Sequence, residues 1–134
     1  MKIYFSKSKP PIYERCAEQF GVKWKDKVIF TYGDTIHCKN KVGKQKIAHE
    51  TTHVNQQLEY GVKAWWERYF IDVDFRIEQE VEAYRNEIDW VRSKIWDMKN
   101  RKARIDHIVE DLCSPMYGSV VNYKKAIKLL GLNK

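Results

Sequence analysis

The chain has 134 residues, with 25 Lys and Arg against 18 Asp and Glu and a formal net charge of +7. That length suits one domain with one modest core, and 43% hydrophobic content with five Trp, eight Tyr and five Phe excludes a disordered chain. No apolar run approaches the roughly 20 residues of a membrane span, and Met1-Lys2-Ile3-Tyr4-Phe5 meets Ser6 and Lys7 without the apolar stretch of a signal peptide.

The expected location is therefore the cytoplasm of the cell that makes the chain, with no membrane partner. The positive charge favours acidic partners, but it falls in separate groups at Lys23 to Lys27, Lys39 to Lys46 and Lys99 to Arg104. Without interleaved aromatics, helix-turn-helix or zinc-finger spacing, these groups read as solvated surface, and nucleic acid is not the expected partner. Cys16, Cys38 and Cys113 are widely spaced and lack a C-x-x-C pair, so reduced, buried thiols are expected. His37 and Cys38 are neighbours on an expected strand, where adjacent side chains face opposite ways, which argues against a metal site there.

In chain order, Lys2 to Phe5 reads as a short strand or an ordered arm. Pro10 and Pro11 suit a helix start, and Ile12 to Phe20 reads as a helix closed by Gly21. Lys27 to Tyr32 is rich in β-formers, Gly33-Asp34 is a turn, and Thr35 to Lys39 returns, which together predict a hairpin.

The next helix, from about Lys44 to Tyr60, carries His49-Glu50-Thr51-Thr52-His53. One helical turn separates His49 from His53, so both imidazoles project from one face and can converge on one tetrahedral metal ion. Glu50 lies beside them, placed to act as a general base on a water at that metal without displacing a ligand. At about 100° per residue, Ile47, Val54 and Leu58 form the expected buried stripe, and the histidines point away from it into a separate groove.

Val62 to Ile71 reads as a short aromatic helix in which Trp65 and Tyr69 pack in the core and Trp66 is a candidate cleft or partner contact. Asp72 or Asp74 caps a long helix that runs to about Asn100. Its seam is Ile77, Val81, Tyr84, Ile88, Val91, Ile95 and Met98. Zinc needs a third protein ligand if a water is to keep the fourth position. Glu80 lies on the shoulder of the seam, about 60° from Ile77, whereas Glu78 and Glu82 point outward. A carboxylate at the edge of a buried stripe is costly unless it is paired or metal-bound. Glu80 is thus the expected third ligand, with Glu82 the fallback and Glu87 a weaker candidate on the same shoulder.

These residues carry a resemblance. His49 to His53, the trailing Val54-Asn55-Gln56-Gln57 and the downstream Glu80-Val81-Glu82-Ala83-Tyr84 resemble the gluzincin-type zinc metallopeptidases. They are most similar to small H-E-x-x-H domains of bacteriophages and contractile injection systems. The resemblance spans roughly residues 27 to 90 and is specific only at the two helices. It implies a zincin-like domain that hydrolyses peptide bonds in a peptide or protein substrate. It also implies the register that places the ligand Glu80 three residues before the small Ala83, and a strand before the motif helix, here Thr35 to Lys39, that pairs with the substrate backbone. One position departs from the pattern. Many gluzincins have an Asp four residues after the ligand Glu, supporting a zinc-bound His, and this chain has Tyr84 there.

Beyond the long helix, Arg101 to Cys113 reads as a further helix with the stripe Ile105, Ile108, Val109 and Leu112. Ser114-Pro115-Met116-Tyr117-Gly118 breaks it, and Ser119 is the expected cap of a last helix through Leu130. A metallopeptidase also needs a donor for the developing oxyanion, and Tyr117 and His107 are the candidates. The far half of the long helix, with Trp90, Trp96 and Met98, is expected either to pack on the C-terminal helices or to offer a surface to another protein. The expectation is a single α+β domain, mainly α, with a small β-hairpin before the motif helix. Its functions are a Zn2+ metallopeptidase or, alternatively, a phage virion or tail protein with a structural or vestigial zinc and a structural protein partner.

Overall fold

A computed structural model describes residues 1–114 and 117–132. Nine elements follow in order: β1 (Tyr4–Ser6), α1 (Tyr13–Phe20), β2 (Ile29–Tyr32), β3 (Thr35–Cys38), α2 (Lys44–Tyr60), α3 (Val62–Ile71), α4 (Val73–Lys94), α5 (Met98–Leu112) and α6 (Tyr123–Leu129). The chain is α+β and mainly α. Among the described residues no helix is long and apolar enough to cross a membrane.

The sheet has the order β1-β3-β2. β2 and β3 form the expected hairpin, antiparallel with Thr31 opposite Ile36, and Gly33 turns it at a φ of 64° that other residues adopt rarely. β1 is a true strand and adds parallel to β3, with Phe5 beside Ile36. This placement corrects the expectation for Thr35 to Lys39. β3 is the central strand, both of its edges are used within the chain, and it has none left for a substrate backbone. The free edges belong to β1 and β2.

One face of the sheet lies under α2, where Ile36, Cys38, Val42 and Val54 form a small apolar cluster. The other face meets an aromatic cluster from α1 and α3, in which Tyr13, Phe30, Trp65, Trp66, Tyr69 and Phe70 pack. A third cluster joins α4, α5 and α6 through Tyr84, Ile88, Val91, Ile108, Leu112 and Leu130. Within α2 the buried stripe is narrower than its periodicity suggests: Val54 is fully buried and Ile47 partly so, but Leu58 is 51% exposed.

Asp72, not Asp74, caps α4, accepting from Phe75 N at 3.0 Å. The long helix stops at Lys94 rather than near Asn100, because the chain turns through Ile95 and Trp96 and Asp97 caps α5 by accepting from Asn100 N at 2.9 Å. α5 and α6 then fold back on α4, which covers Trp90 and Ile95 in part and leaves Trp96 and Met98 exposed at the corner. α6 begins later than expected. Asn122 caps it, while Ser119 sits in the preceding loop at a φ of 54°. Pro115 and Met116, part of the expected break, lie outside the described residues.

Candidate metal centre

α2 and α4 pack along each other where the three apolar clusters meet, and the seam between these two helices holds the polar residues that those clusters exclude. His49 and His53 come from α2 and Glu80 from α4, each 4 or 5% exposed. His49 Nε2 and His53 Nε2 are 3.2 Å apart, and Glu80 Oε1 is 3.3 Å from the first and 3.2 Å from the second. Bonds of about 2.0–2.2 Å to a tetrahedral zinc ion hold donor atoms about 3.3–3.6 Å apart. The triangle already has the size of three corners of such a site, and it is the one buried His, Cys, Asp or Glu group of this kind among the described residues.

Surrounding groups decide which atoms face inward. Gln56 donates its amide N–H groups to Gln79 O and Glu82 Oε1 at 3.0 and 2.8 Å, so its Oε1 must accept, and it faces His53 Nδ1 at 2.8 Å. His53 therefore carries its proton on Nδ1 and presents a lone pair at Nε2. His49 Nδ1 faces Glu87 Oε1 at 3.0 Å. Neither atom has another partner, although the N–H is not aimed squarely at the oxygen. Tyr69 donates to Glu80 Oε2 at 2.6 Å, which turns Oε1 alone toward the histidines. Three lone-pair atoms thus converge with no hydrogen between them when both imidazoles are neutral, an arrangement that could hold a metal ion.

Charge counting agrees. Glu50, Glu80 and Glu87 are the buried acids among the described residues, and all three face this centre. Lys46 Nζ is shared between Glu87 at 3.2 Å and Asp111 at 3.6 Å, and the buried Arg76 adds a second positive charge, so with both imidazoles neutral these four acids exceed the two bases by two charges. Without a metal the protein must charge its histidines instead. Burial works against this, but hydrogen bonds to Glu80 and Glu87 and the Glu50 charge outweigh it and raise His49 to about 10. His53 is raised too, with burial opposed chiefly by Glu80. Glu80 is held below the usual carboxylate range against its own burial by the two imidazoles, and Glu87 likewise by His49 and Lys46.

Glu50 lies beside the triangle without belonging to it. Its Oε1 accepts from Thr31 Oγ1 at 2.9 Å and its Oε2 stands 3.8 Å from His49 Nε2. A cavity of about 50 Å³ adjoins it, bounded by Thr31, Phe30, Trp66, Tyr69 and Tyr117, room for a few waters. A groove of about 230 Å³ runs outward from the same place past Ile29, Lys46, His107 and Asp111.

The remaining candidates separate. Tyr117 is buried against the cavity, its hydroxyl 2.6 Å from that of Tyr84, and burial pushes both phenols well above their usual range. Arg76 anchors the Tyr117 segment, donating to Tyr117 O at 3.3 Å and to the α3 carbonyls of Tyr69 and Phe70. His107 lies at the outer groove with its side chain 68% exposed, 3.7 Å from Glu110 and Asp111, so it is not part of the inner centre. Glu82 turns outward to Gln56, and Glu87 stands behind His49 rather than beside Glu80. Tyr84 packs against the His49 ring in an edge-type contact, 4.3 Å between centroids.

Sequence reasoning missed four supporting residues. Tyr69 reads as packing alone, and nothing local shows that its hydroxyl meets Glu80. Gln56 and Gln57 were visible as polar residues continuing the histidine face at helical spacing. Gln57, fully buried, donates to Thr31 O at 2.8 Å and accepts from Gly33 N at 2.7 Å, so its amide occupies the free edge of β2. Trp66 Nε1 also donates to Thr31 O, at 3.2 Å, while its ring lines the cavity. Thr31 carried no signal beyond β-propensity, yet it holds Glu50. Compared with protein-family models, curated proteins and solved structures, the chain matches none of them.

Proposed function

We propose that the protein is a zincin-like, zinc-dependent hydrolase acting on peptide bonds, with His49, His53 and Glu80 as the metal ligands. The observation that carries this reading is the triangle of inward lone pairs, 3.2–3.3 Å on each side, with the unengaged oxygen of Glu50 next to it. Two imidazoles and one carboxylate favour zinc over harder ions. Zinc bound there supplies a Lewis acid for the carbonyl and lowers the pKa of a water.

The chain's own residues do the rest. Thr31 holds Glu50 so that its free oxygen takes the proton of the attacking water and then delivers it to the leaving amine. The Tyr84–Tyr117 hydroxyl pair, 2.6 Å apart, has one donor left over at the cavity to stabilise the developing oxyanion. Ile29, Lys46 and His107 flank the groove along which the substrate chain enters. Glu87, from the next turn of α4 beyond Tyr84, provides the negative support for His49 that the resembling enzymes draw from an Asp.

A second reading is a structural ion in a virion or tail protein, which the burial of all three ligands favours. Glu50→Gln separates the two, since it spares the ligands. Metal content is expected to be unchanged while cleavage of an unfolded protein substrate is lost. Equal cleavage by variant and parent refutes the hydrolase reading.

A further inference from the structure

The sheet has two outer edges, and they differ. On β2 the Gln57 amide already pairs with Thr31 O and Gly33 N. Among the described residues β1 has no such cover, and the parallel register shows which of its backbone groups point outward. Tyr4 N donates to Asp34 O at 2.9 Å, and Tyr4 and Ser6 lie beside Thr35 and His37. Their backbone groups therefore face β3. The N–H and C=O of Phe5 point the other way, to the unpaired edge.

The apolar layer under α2 also ends at this edge. Side chains of paired residues share a face, so Thr31, Ile36 and Phe5 form one row across the sheet. Ile36 is fully buried within it and Phe5 is 58% exposed. Beside Phe5 lies a predominantly apolar groove of about 380 Å³, bounded by Ile36, Val42, Ile47, Lys7 and Lys41. It shares no lining residue with the metal cavity. Two lysines line it, Lys7 on the β1 side and Lys41 on the other. Among the described residues only Lys46 and Lys102 of all the lysines form ion pairs. The same lysines would set two copies of this edge against each other by charge, which disfavours a second chain as the occupant.

We propose that β1 is a docking edge for an extended, acidic segment of another protein, which adds as a fourth strand. Its backbone pairs with the N–H and C=O of Phe5, an apolar side chain continues the row past Phe5 into the groove, and its carboxylates meet Lys7 and Lys41. This mode combines directional main-chain bonds with a charge pattern that selects the partner. It does not depend on the metal centre.

The probe is a short capped peptide of alternating Glu and Val, with a Lys and Val peptide as its counterpart. The full chain is expected to bind the acidic peptide, more weakly as salt rises, with slowed amide exchange at Phe5 and Lys7. Phe5→Ala keeps the outward N–H and Phe5→Pro removes it, and proline is tolerated at an outward-facing edge position. Binding to Phe5→Pro is expected to be about two- to tenfold weaker than to Phe5→Ala, the worth of one hydrogen bond. Lys7→Glu with Lys41→Glu is expected to weaken the acidic peptide at least about tenfold and to admit the basic one. Circular dichroism of each variant shows that it is folded. Absence of binding, equal binding of the two peptides, or equal affinity of the two Phe5 variants overturns the proposal. So does protection at β1 that grows with protein concentration alone, which would make a second copy the occupant.

Discussion

Replacing Glu87 by Gln removes one charge from a fully buried carboxylate that faces His49 Nδ1 at 3.0 Å, Lys46 Nζ at 3.2 Å and Gln45 Nε2 at 2.6 Å. If the new amide turns its oxygen to His49, its NH2 meets the donors of Lys46 and Gln45. Gln45 cannot readily turn over, because its Oε1 accepts from Arg104 at 2.9 Å. Turned the other way, the NH2 opposes His49 Nδ1–H and favours the tautomer with its proton on Nε2, where the metal must bind. Either orientation weakens the ligand, and loss of such a supporting partner costs about 10- to 100-fold in metal affinity, or about 1.4 to 2.7 kcal/mol. Competition between the protein and a chromophoric chelator measures this directly. Melting of the metal-free variant, run in parallel, separates affinity from general destabilisation. Unchanged zinc affinity in a folded Glu87→Gln protein would refute the reasoning that the carboxylate fixes and polarises His49.

Further outcomes follow from the same geometry. In the metal-free chain His49 is raised from 6.5 to about 10, so its charged form contributes stability in full below pH 6.5 and loses that contribution as pH climbs through 10. Zinc requires the neutral ring, so the rise in Tm on adding zinc is expected to grow across that window, and a pH-independent rise contradicts the assignment. Tyr117→Phe keeps the ring but removes the hydroxyl beside Tyr84. Turnover is expected to fall about 100-fold with zinc content intact, and unaltered kcat removes Tyr117 from the mechanism. Ile36→Ala at the centre of the sheet is expected to cost about 2–5 kcal/mol in chemical denaturation, whereas Leu58→Ala, exposed at the end of α2, is expected to stay within about 0.5 kcal/mol. Similar losses at the two positions would contradict the narrow buried stripe.

What could be read locally was read correctly in outline. The span of α2, the hairpin and the candidacy of His49, His53 and Glu80 follow from helical and strand periodicity, which is a property of neighbours along the chain. The end of the long helix was misplaced because the apolar residues Ile95 and Met98 continue its pattern, while the turn is set by the Asp97 cap and by the packing of α5 against α4. The strand order escaped the sequence for a related reason, since a three-residue β1 carries no signal for which strand it joins.

The amino-acid sequence by itself determined that two imidazoles stand one turn apart on a helix with a carboxylate between them. It also determined that Glu80 sits on the shoulder of a second helix. Only the tertiary structure decided that these helices pack in the register that closes the triangle. It alone brought Tyr69 to Glu80, Glu87 to His49 and Thr31 to Glu50 from distant parts of the chain. Hydrogen bonds between side chains far apart in sequence depend on angstrom-scale packing, and no periodicity encodes that distance.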